Sequence, residues 1–213
     1  MIHDEEQARA WVADLCGADP STLEMLDQLV ELLSAENERQ NLVAKPTLVQ
    51  VWRRHIADSA QLTRHVPRGT SAPWLDLGSG AGFPGLVVAI LKPELRVTLV
   101  ESRRKRIDWL RDVSKALDLR NVTVAGCRVE ALPSQHFDVI SARAFASLEN
   151  IVALSARFST SATTWVLPKG RSAVQELEQL TGWSHTFHVE PSLTDPDAGI
   201  VVGTLAGRKG AKP

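Results

Sequence analysis

Cysteine is almost absent from this chain: Cys16 and Cys127 are the only two among 213 residues. They lie far apart, and neither belongs to a CxxC or a Cys/His ligand spacing. A disulfide framework and a zinc site are therefore not indicated, no metal is expected, and both thiols read as buried spectators. Long apolar runs are missing as well. Nothing approaches the roughly 20 apolar residues of a membrane span. The polar start from Met1 to Glu6, followed by apolar positions that Asp14 interrupts, supplies no secretory h-region. These absences predict a soluble, cytoplasmic protein with no membrane partner. Basic residues are scarce at one end only. Residues 1–38 hold one base against ten acids, residues 39–68 six bases against one acid, and residues 69–213 seventeen bases against fourteen acids. The net charge of −1 thus conceals segments of −9, +5 and +3. What matters is local potential within a Debye length of about 10 Å, so the basic middle segment can attract a polyanion despite a near-zero total. Solvated helix faces would carry the same charges, and charge alone does not decide between the two.

What is present fits an ordinary globular protein. Hydrophobic residues make up 44% and charged residues 23% of the chain, a length and composition suited to one α/β domain with a modest extension. Residues 7–15 read as a short helix. A longer one opens at Pro20, where Ser21 is placed to cap it with Glu24 reaching back, and Leu23, Leu26, Leu29, Val30 and Leu33 recur at helical spacing. After a polar break from Asn37 to Pro46, residues 47–66 read as a third helix with an apolar stripe of Leu48, Val51, Trp52, Ile56 and Leu62. Residues 67–73 read as a linker. From Trp74 the pattern alternates: strands are predicted at 74–77, 96–101, 122–125, 137–141 and 163–167, and helices at 84–91, 104–117 and 148–158. Strands separated by helices predict a mostly parallel, doubly wound sheet. Residues 183–190 and 199–206 are strand candidates with no helix between them, which predicts an antiparallel pair at one edge. The chain thus divides into a helical N-terminal extension over residues 1–66, an α/β domain over residues 67–207 and a basic tail over residues 208–213.

The stretch Leu75-Asp76-Leu77-Gly78-Ser79-Gly80-Ala81-Gly82-Phe83-Pro84-Gly85 joins the first predicted strand to the helix after it. Glycines permit a sharp turn and a close approach, and open α/β sheets bind ligands beyond their strand ends. Gly80-x-Gly82-x-x-Gly85 satisfies G-x-G-x-x-G, so an NAD enzyme stands beside an S-adenosylmethionine enzyme. Asp76 would oppose a pyrophosphate but suits the cationic amino-acid end of S-adenosylmethionine. Pro84 removes an N–H that a pyrophosphate would use. With 213 residues there is also little room for the separate catalytic domain that most dehydrogenases carry. Glu101, 19 residues after Gly82, serves either cofactor by gripping ribose hydroxyls.

Cys127-Arg128-Val129-Glu130-Ala131 follows the third strand, where an adenine would rest against backbone; Glu130 reads equally well as a surface acid. The fourth strand ends in Ser141-Ala142-Arg143-Ala144-Phe145-Ala146. No N-P-P-Y turn for an exocyclic amine stands there, and no Pro-Cys nucleophile for a pyrimidine. A ring nitrogen such as guanine N7 needs neither, because its lone pair is available and alignment of nucleophile, methyl and sulfur supplies the catalysis. Arg143 is the candidate catalytic residue, by positioning rather than as a base: it could donate to guanine O6 or a phosphate, or else pair with a carboxylate. Phe145 could stack on a base or belong to the core.

On these residues the chain resembles the bacterial 16S ribosomal RNA guanine-N7 methyltransferases, the glucose-inhibited division protein B family. The resemblance rests on Asn41-Leu42, Arg54-His55-Ile56-x-Asp58-Ser59, the D-L-G-S-G-A-G-F-P-G loop, Glu101-Ser102 with Lys105-Arg106, Arg128-Val129-Glu130, Arg143-Ala144-Phe145-Ala146-Ser147 and Pro168-Lys169-Gly170. It implies a class I methyltransferase fold, S-adenosylmethionine as cofactor, S-adenosylhomocysteine as product, and a guanine in 16S ribosomal RNA or the small ribosomal subunit as substrate. A monomer that does not act on DNA is expected. Carried over by matching position, the cofactor contacts are Gly78, Phe83, Val129, Glu130 and Arg143; Asp76, Gly80 and Glu101 join them on the loop arguments above. Relatives often carry an aliphatic residue where this chain has Phe83. Arg53, Arg54, His55, Lys105, Arg106, Lys169 and Arg171 become candidate RNA contacts, which salt would weaken steeply. A small-molecule methyltransferase and a noncatalytic RNA-binding module remain the alternatives to be tested.

Overall fold

The computed structural model describes residues 1–66 and 73–210. The linker predicted at 67–73 lies outside the described residues except for Pro73, as do the last three residues of the predicted tail. The chain opens with two helices, α1 (Glu5–Leu15) and α2 (Pro20–Asn37). The cap of α2 is Asp19 and not the predicted Ser21: its carboxylate accepts from Ser21 N at 3.3 Å and Thr22 N at 3.2 Å. Pro20 is the cause, because its fixed φ and missing N–H make it a first helical residue and move the cap to the position before it.

The helix predicted at 47–66 differs in kind. α3 (Lys45–Leu48) is a single turn, Trp52–Ala57 is π-helical, α4 (Asp58–Ala60) follows, and Gln61–His65 closes as a 3₁₀ helix. Glu5 reaches across from α1 and accepts from Trp52 N and Arg53 N, both at 2.9 Å. That contact pins the start of the π stretch. The wider π turn rotates the side chains off the α-helical stripe, so His55, Ile56 and Ala57 are buried in succession.

The α/β part runs β1 (Pro73–Leu77), α5 (Gly85–Leu91), β2 (Arg96–Val100), α6 (Arg104–Ala116), β3 (Val122–Ala125), β4 (Val139–Ala142), α7 (Leu148–Ser155) and β5 (Thr164–Lys169). It continues through α8 (Ala173–Gln179), a helix the sequence reading missed, to β6 (Trp183–His185), β7 (His188–Pro191), β8 (Gly199–Gly203) and β9 (Leu205–Arg208). The main sheet has the order β3-β2-β1-β4-β5-β8-β7, parallel from β3 to β5 and antiparallel where β8 joins β5 and β7. This is the class I methyltransferase architecture, mostly parallel with an antiparallel edge. The two late strand candidates are each broken in the middle. Their inner halves, β7 and β8, join the main sheet, while β6 and β9 form a separate two-stranded ribbon. Gly203 makes the bend: its φ is +148° and a Cβ there would lie 2.8 Å from the Phe187 backbone.

Apolar side chains fill both faces. On one face α1, α2 and the π stretch share a core with α5 and α6 through Leu26, Leu29, Leu33, Ile56, Val88 and Leu110. On the other, α7 and the ribbon cover Leu77, Ile140, Trp165 and Val201. Among the described residues no helix is long and apolar enough to cross a membrane. After β3 the chain returns to place β4 on the other side of β1, so the loops leaving β1 and β4 diverge. That topological switch opens a crevice at their carboxyl ends.

Candidate active site

Three glycines of the β1 loop have positive φ: Gly78 at +64°, Gly80 at +57° and Gly82 at +101°. L side chains avoid that region. A Cβ on Gly78 would also overlap the Phe145 ring. Three of the loop's N–H groups are already engaged: Ser79 N donates to Val100 O (3.0 Å), Gly80 N to Glu101 Oε2 (3.0 Å) and Gly82 N to Ser79 O (2.7 Å). A pyrophosphate needs such groups free, so these three N–H groups do not serve one.

Asp76 lies under the loop, fully buried. Ser141 Oγ donates to its Oδ1 at 2.8 Å, and Trp74 Nε1 donates to Ser141 Oγ at 2.8 Å. Oδ2 has no hydrogen-bond partner among the described residues. Burial pushes the Asp76 carboxyl up to about 6, against the hydrogen bond from Ser141 and the charge of Arg143. Glu101, just beyond β2, is likewise buried and accepts from Gly80 N, Ser102 N (2.7 Å) and Arg103 N (2.8 Å). It therefore braces the glycine loop against the start of α6.

Above Glu101 opens a cleft of about 350 Å³ whose lining includes Gly78, Glu101, Arg106, Val129, Glu130 and Phe145. Four of the eight predicted cofactor residues, Gly78, Glu101, Val129 and Glu130, thus share one wall. Asp76 and Gly80 stand behind that wall, while Phe83 and Arg143 lie to one side of it. Sequence reasoning missed Arg103, Arg128 and Leu154, which also line the cleft. Arg103 and Arg128 adjoin the Glu101-Ser102 and Val129-Glu130 motifs, whereas Leu154 lies in α7 and carried no such signal.

A second cleft, of about 560 Å³, adjoins the first, and Ala144 lines both. Ala144 takes a φ of +51° in the turn after β4. Arg143 lines the second cleft with His55, Asp58, Arg54, Lys169 and Asp195. Its Nη1 donates to Arg54 O (3.2 Å) and Asp58 Oδ2 (3.3 Å), and Nη2 donates to His55 Nδ1 (3.2 Å). Phe83 underlies the group, 5.1 Å from the Arg143 guanidinium and stacked on the His55 ring at 5.1 Å. Burial, then the charges of Arg143 and Arg54, push the His55 pKa down to about 3.

The family described as rRNA small subunit methyltransferase G matches residues 22–193. The chain belongs to the rRNA small subunit methyltransferase G family. It is 61% identical over 204 residues to ribosomal RNA small subunit methyltransferase G of Erythrobacter litoralis, covering 95% of this chain and 97% of that protein. The protein of the same name from Novosphingobium aromaticivorans is 55% identical over 212 residues, covering 98% and 92%. Among solved structures, a mutant of MtNAS in complex with S-adenosylmethionine is similar (TM-score 0.57, 18% identity, 95% of this chain and 84% of that one). So is protein Atu636 from Agrobacterium tumefaciens, described as a predicted O-methyltransferase (TM-score 0.60, 19% identity, 71% and 82%). At such identities the likeness concerns the fold alone.

As a member of the methyltransferase G family the chain is an S-adenosylmethionine-dependent enzyme, and the first cleft fits that cofactor. Gly78 lets the Phe145 ring pack directly against its backbone, and both residues line the cleft. A carboxylate offers about four acceptor sites, and Glu101 uses three, leaving room for a ribose hydroxyl. Glu101 and Glu130 with Arg103, Arg106 and Arg128 line the cleft with both signs of charge, which suits a zwitterionic amino-acid end. The seven predicted RNA contacts are dispersed. Five have partners inside this methyltransferase: Arg53 donates to His3 O and Gln50 Oε1, both at 2.6 Å, and Arg54 pairs with Asp195 at 2.9 Å. Lys169 donates to Ala146 O at 2.7 Å and pairs with Glu176 at 2.8 Å, and Arg171 pairs with Asp197 at 2.7 Å. His55 is buried against Arg143. Lys105 is exposed and Arg106 half-buried, without side-chain partners among the described residues.

Proposed function

We propose that the enzyme transfers a methyl group from S-adenosylmethionine to N7 of a guanine in the 16S ribosomal RNA of the small ribosomal subunit. The observation that carries this reading is the junction of the two clefts at Ala144, which sets a cofactor pocket beside a second pocket large enough for a base. S-adenosylmethionine, when bound, supplies an electrophilic methyl on a sulfonium. Gly78, Val129, Glu130 and Glu101 hold the cofactor, Gly80 and Asp76 keep the loop in shape, and Arg106 meets the carboxylate end. Arg143, supported by Phe83, orients the guanine from the second cleft by donating to O6.

Guanine N7 carries a lone pair and releases no proton on methylation, so the reaction calls for alignment and not for a base. The second cleft agrees with that demand: Asp58, Asp195 and Glu176 line it, yet each is already committed to a cation or to backbone N–H groups. One chain lines both clefts, so a single copy suffices. Arg103, Lys105, Arg106 and Arg128, without side-chain partners among the described residues, border the first cleft or its adjoining helix and are the best candidates for RNA phosphates, ahead of Arg53, Arg54, His55, Lys169 and Arg171.

Two measurements test the reading together. Calorimetry should show S-adenosylhomocysteine binding and no NADH binding. Incubation with labelled S-adenosylmethionine and undermethylated small subunits should yield labelled N7-methylguanosine on digestion. Label in a small molecule alone, or in another nucleoside, contradicts the proposal.

A further inference from the structure

The family motif Arg54-His55-Ile56-x-Asp58-Ser59 suggests an RNA contact, but the structure folds His55 inward, 7% exposed, onto Arg143. The hydrogen-bond roles along this chain of contacts are fixed at both ends. A guanidinium can only donate, so His55 Nδ1 accepts from Arg143 Nη2 at 3.2 Å. The Thr47 hydroxyl has one proton, and Thr47 Oγ1 donates it to Ala44 O at 2.7 Å. Thr47 Oγ1, 2.8 Å from His55 Nε2, must therefore accept from that nitrogen. Both constraints select the neutral imidazole with its proton on Nε2. The depressed pKa of about 3 is consistent with that state, with burial its largest cause.

The network also defines what is left of Arg143. Of its five N–H groups, two on Nη1 go to Arg54 O and Asp58, and one on Nη2 goes to His55. Nε–H and the second Nη2–H have no partner among the described residues. Arg143 lines the second cleft. A free N–H donor suits a keto oxygen and opposes an amino group, so a single donor held toward O6 favours guanine over adenine and leaves the N7 lone pair unengaged.

We infer that His55 is a positioning residue that holds the Arg143 guanidinium in register, so that a remaining N–H donor selects a keto purine in the second cleft. This rests on the functional reading above and adds to it the residue that sets base selectivity. His55 touches neither base nor cofactor on this account. Thr47 fixes its tautomer, and the Phe83 ring fixes its plane.

The test combines kinetics with nuclear magnetic resonance of the full-length protein. Nitrogen-15 spectra of the histidine rings should show His55 protonated at Nε2 and bare at Nδ1; a proton on Nδ1 overturns the inference without touching the proposed function. Thr47→Val, which removes the acceptor while keeping the shape, should release that tautomer preference. Single-turnover transfer to undermethylated small subunits should fall about 100-fold in His55→Phe, the scale of a misplaced orienting group. Affinity for S-adenosylhomocysteine should stay unchanged. His55→Asn, which keeps an acceptor for Arg143, should recover most of the rate. In an Arg143→Lys background, His55→Phe should cost nothing further. Full additivity of the two losses, or wild-type rates in His55→Phe, overturns the inference. If the wild-type enzyme itself forms no N7-methylguanosine, the proposed function fails while the tautomer measurement still decides the positioning claim.

Discussion

Gly78 sits where the backbone must turn with positive φ and where a side chain would strike Phe145. An alanine there takes up a left-handed conformation and displaces the ring that walls the cofactor cleft. The strain of such a residue is on the order of 1–3 kcal/mol, so Gly78→Ala should weaken S-adenosylhomocysteine binding by about 5- to 150-fold in calorimetry. Unchanged affinity would remove Gly78 from the cleft. Two buried titratable groups give a second prediction, because they act in opposite directions. Asp76 holds its proton up to about pH 6 when folded, against 3.8 for its ordinary value. Between those values the folded state keeps a proton that the unfolded chain has lost, so this term falls as pH rises. His55 ordinarily titrates near 6.5 and falls to about 3 when folded. Between those values the unfolded chain holds a proton that the folded state refuses, so its term rises with pH. From pH 4 to 6 the two offset, each at about 1.4 kcal/mol per pH unit. Relative to wild type, Asp76→Asn should therefore gain stability as pH rises through that window, and His55→Gln should lose it, in urea unfolding. Parallel curves for all three proteins would contradict the assignment.

The elements differ in how much of them can be read from the chain. α6 and β1 through β5 follow from short apolar runs and helical periodicity, which local sequence carries. The π stretch at Trp52–Ala57 does not, because Glu5, remote in sequence, pins its start. α8 is a short helix of seven residues with little periodicity to see. The candidate site divides the same way. Gly78, Glu101, Val129 and Glu130 are legible because each stands at a strand end on the same side of the sheet. The role of His55 is not, since it depends on Arg143, 88 residues away. The helix-borne charges also sort by their partners. Arg103 and Lys105 at the start of α6 are exposed without partners among the described residues, while Arg54 and Arg171 are held by Asp195 and Asp197. Arg103→Ala and Lys105→Ala should each weaken small-subunit binding and lower the log–log salt slope by about 1. Arg171→Ala should leave the slope near its wild-type value. The reverse ranking in a filter-binding titration would move the RNA path to the other cleft.

At the scale of the molecule, an acidic N-terminal segment and a basic middle one fold onto one face of the sheet, so sequence charge asymmetry does not map directly onto a binding face. Arg53 and Arg54 spend their charge on that packing, while Arg103, Arg106 and Arg128, without ion-pair partners among the described residues, line the first cleft. The fold thus leaves two adjoining clefts with separate chemistry, one able to take a charged cofactor and one with fixed donors and no spare base. The central claim, methylation of a small-subunit guanine at N7, is tested most directly by mapping N7-methylguanosine at nucleotide resolution in a strain deleted for the gene and in its complemented parent. The account predicts loss of that modification at one guanine of the small-subunit RNA, restored by the wild-type gene and not by Gly78→Ala. An unchanged map in the deletion strain would contradict it.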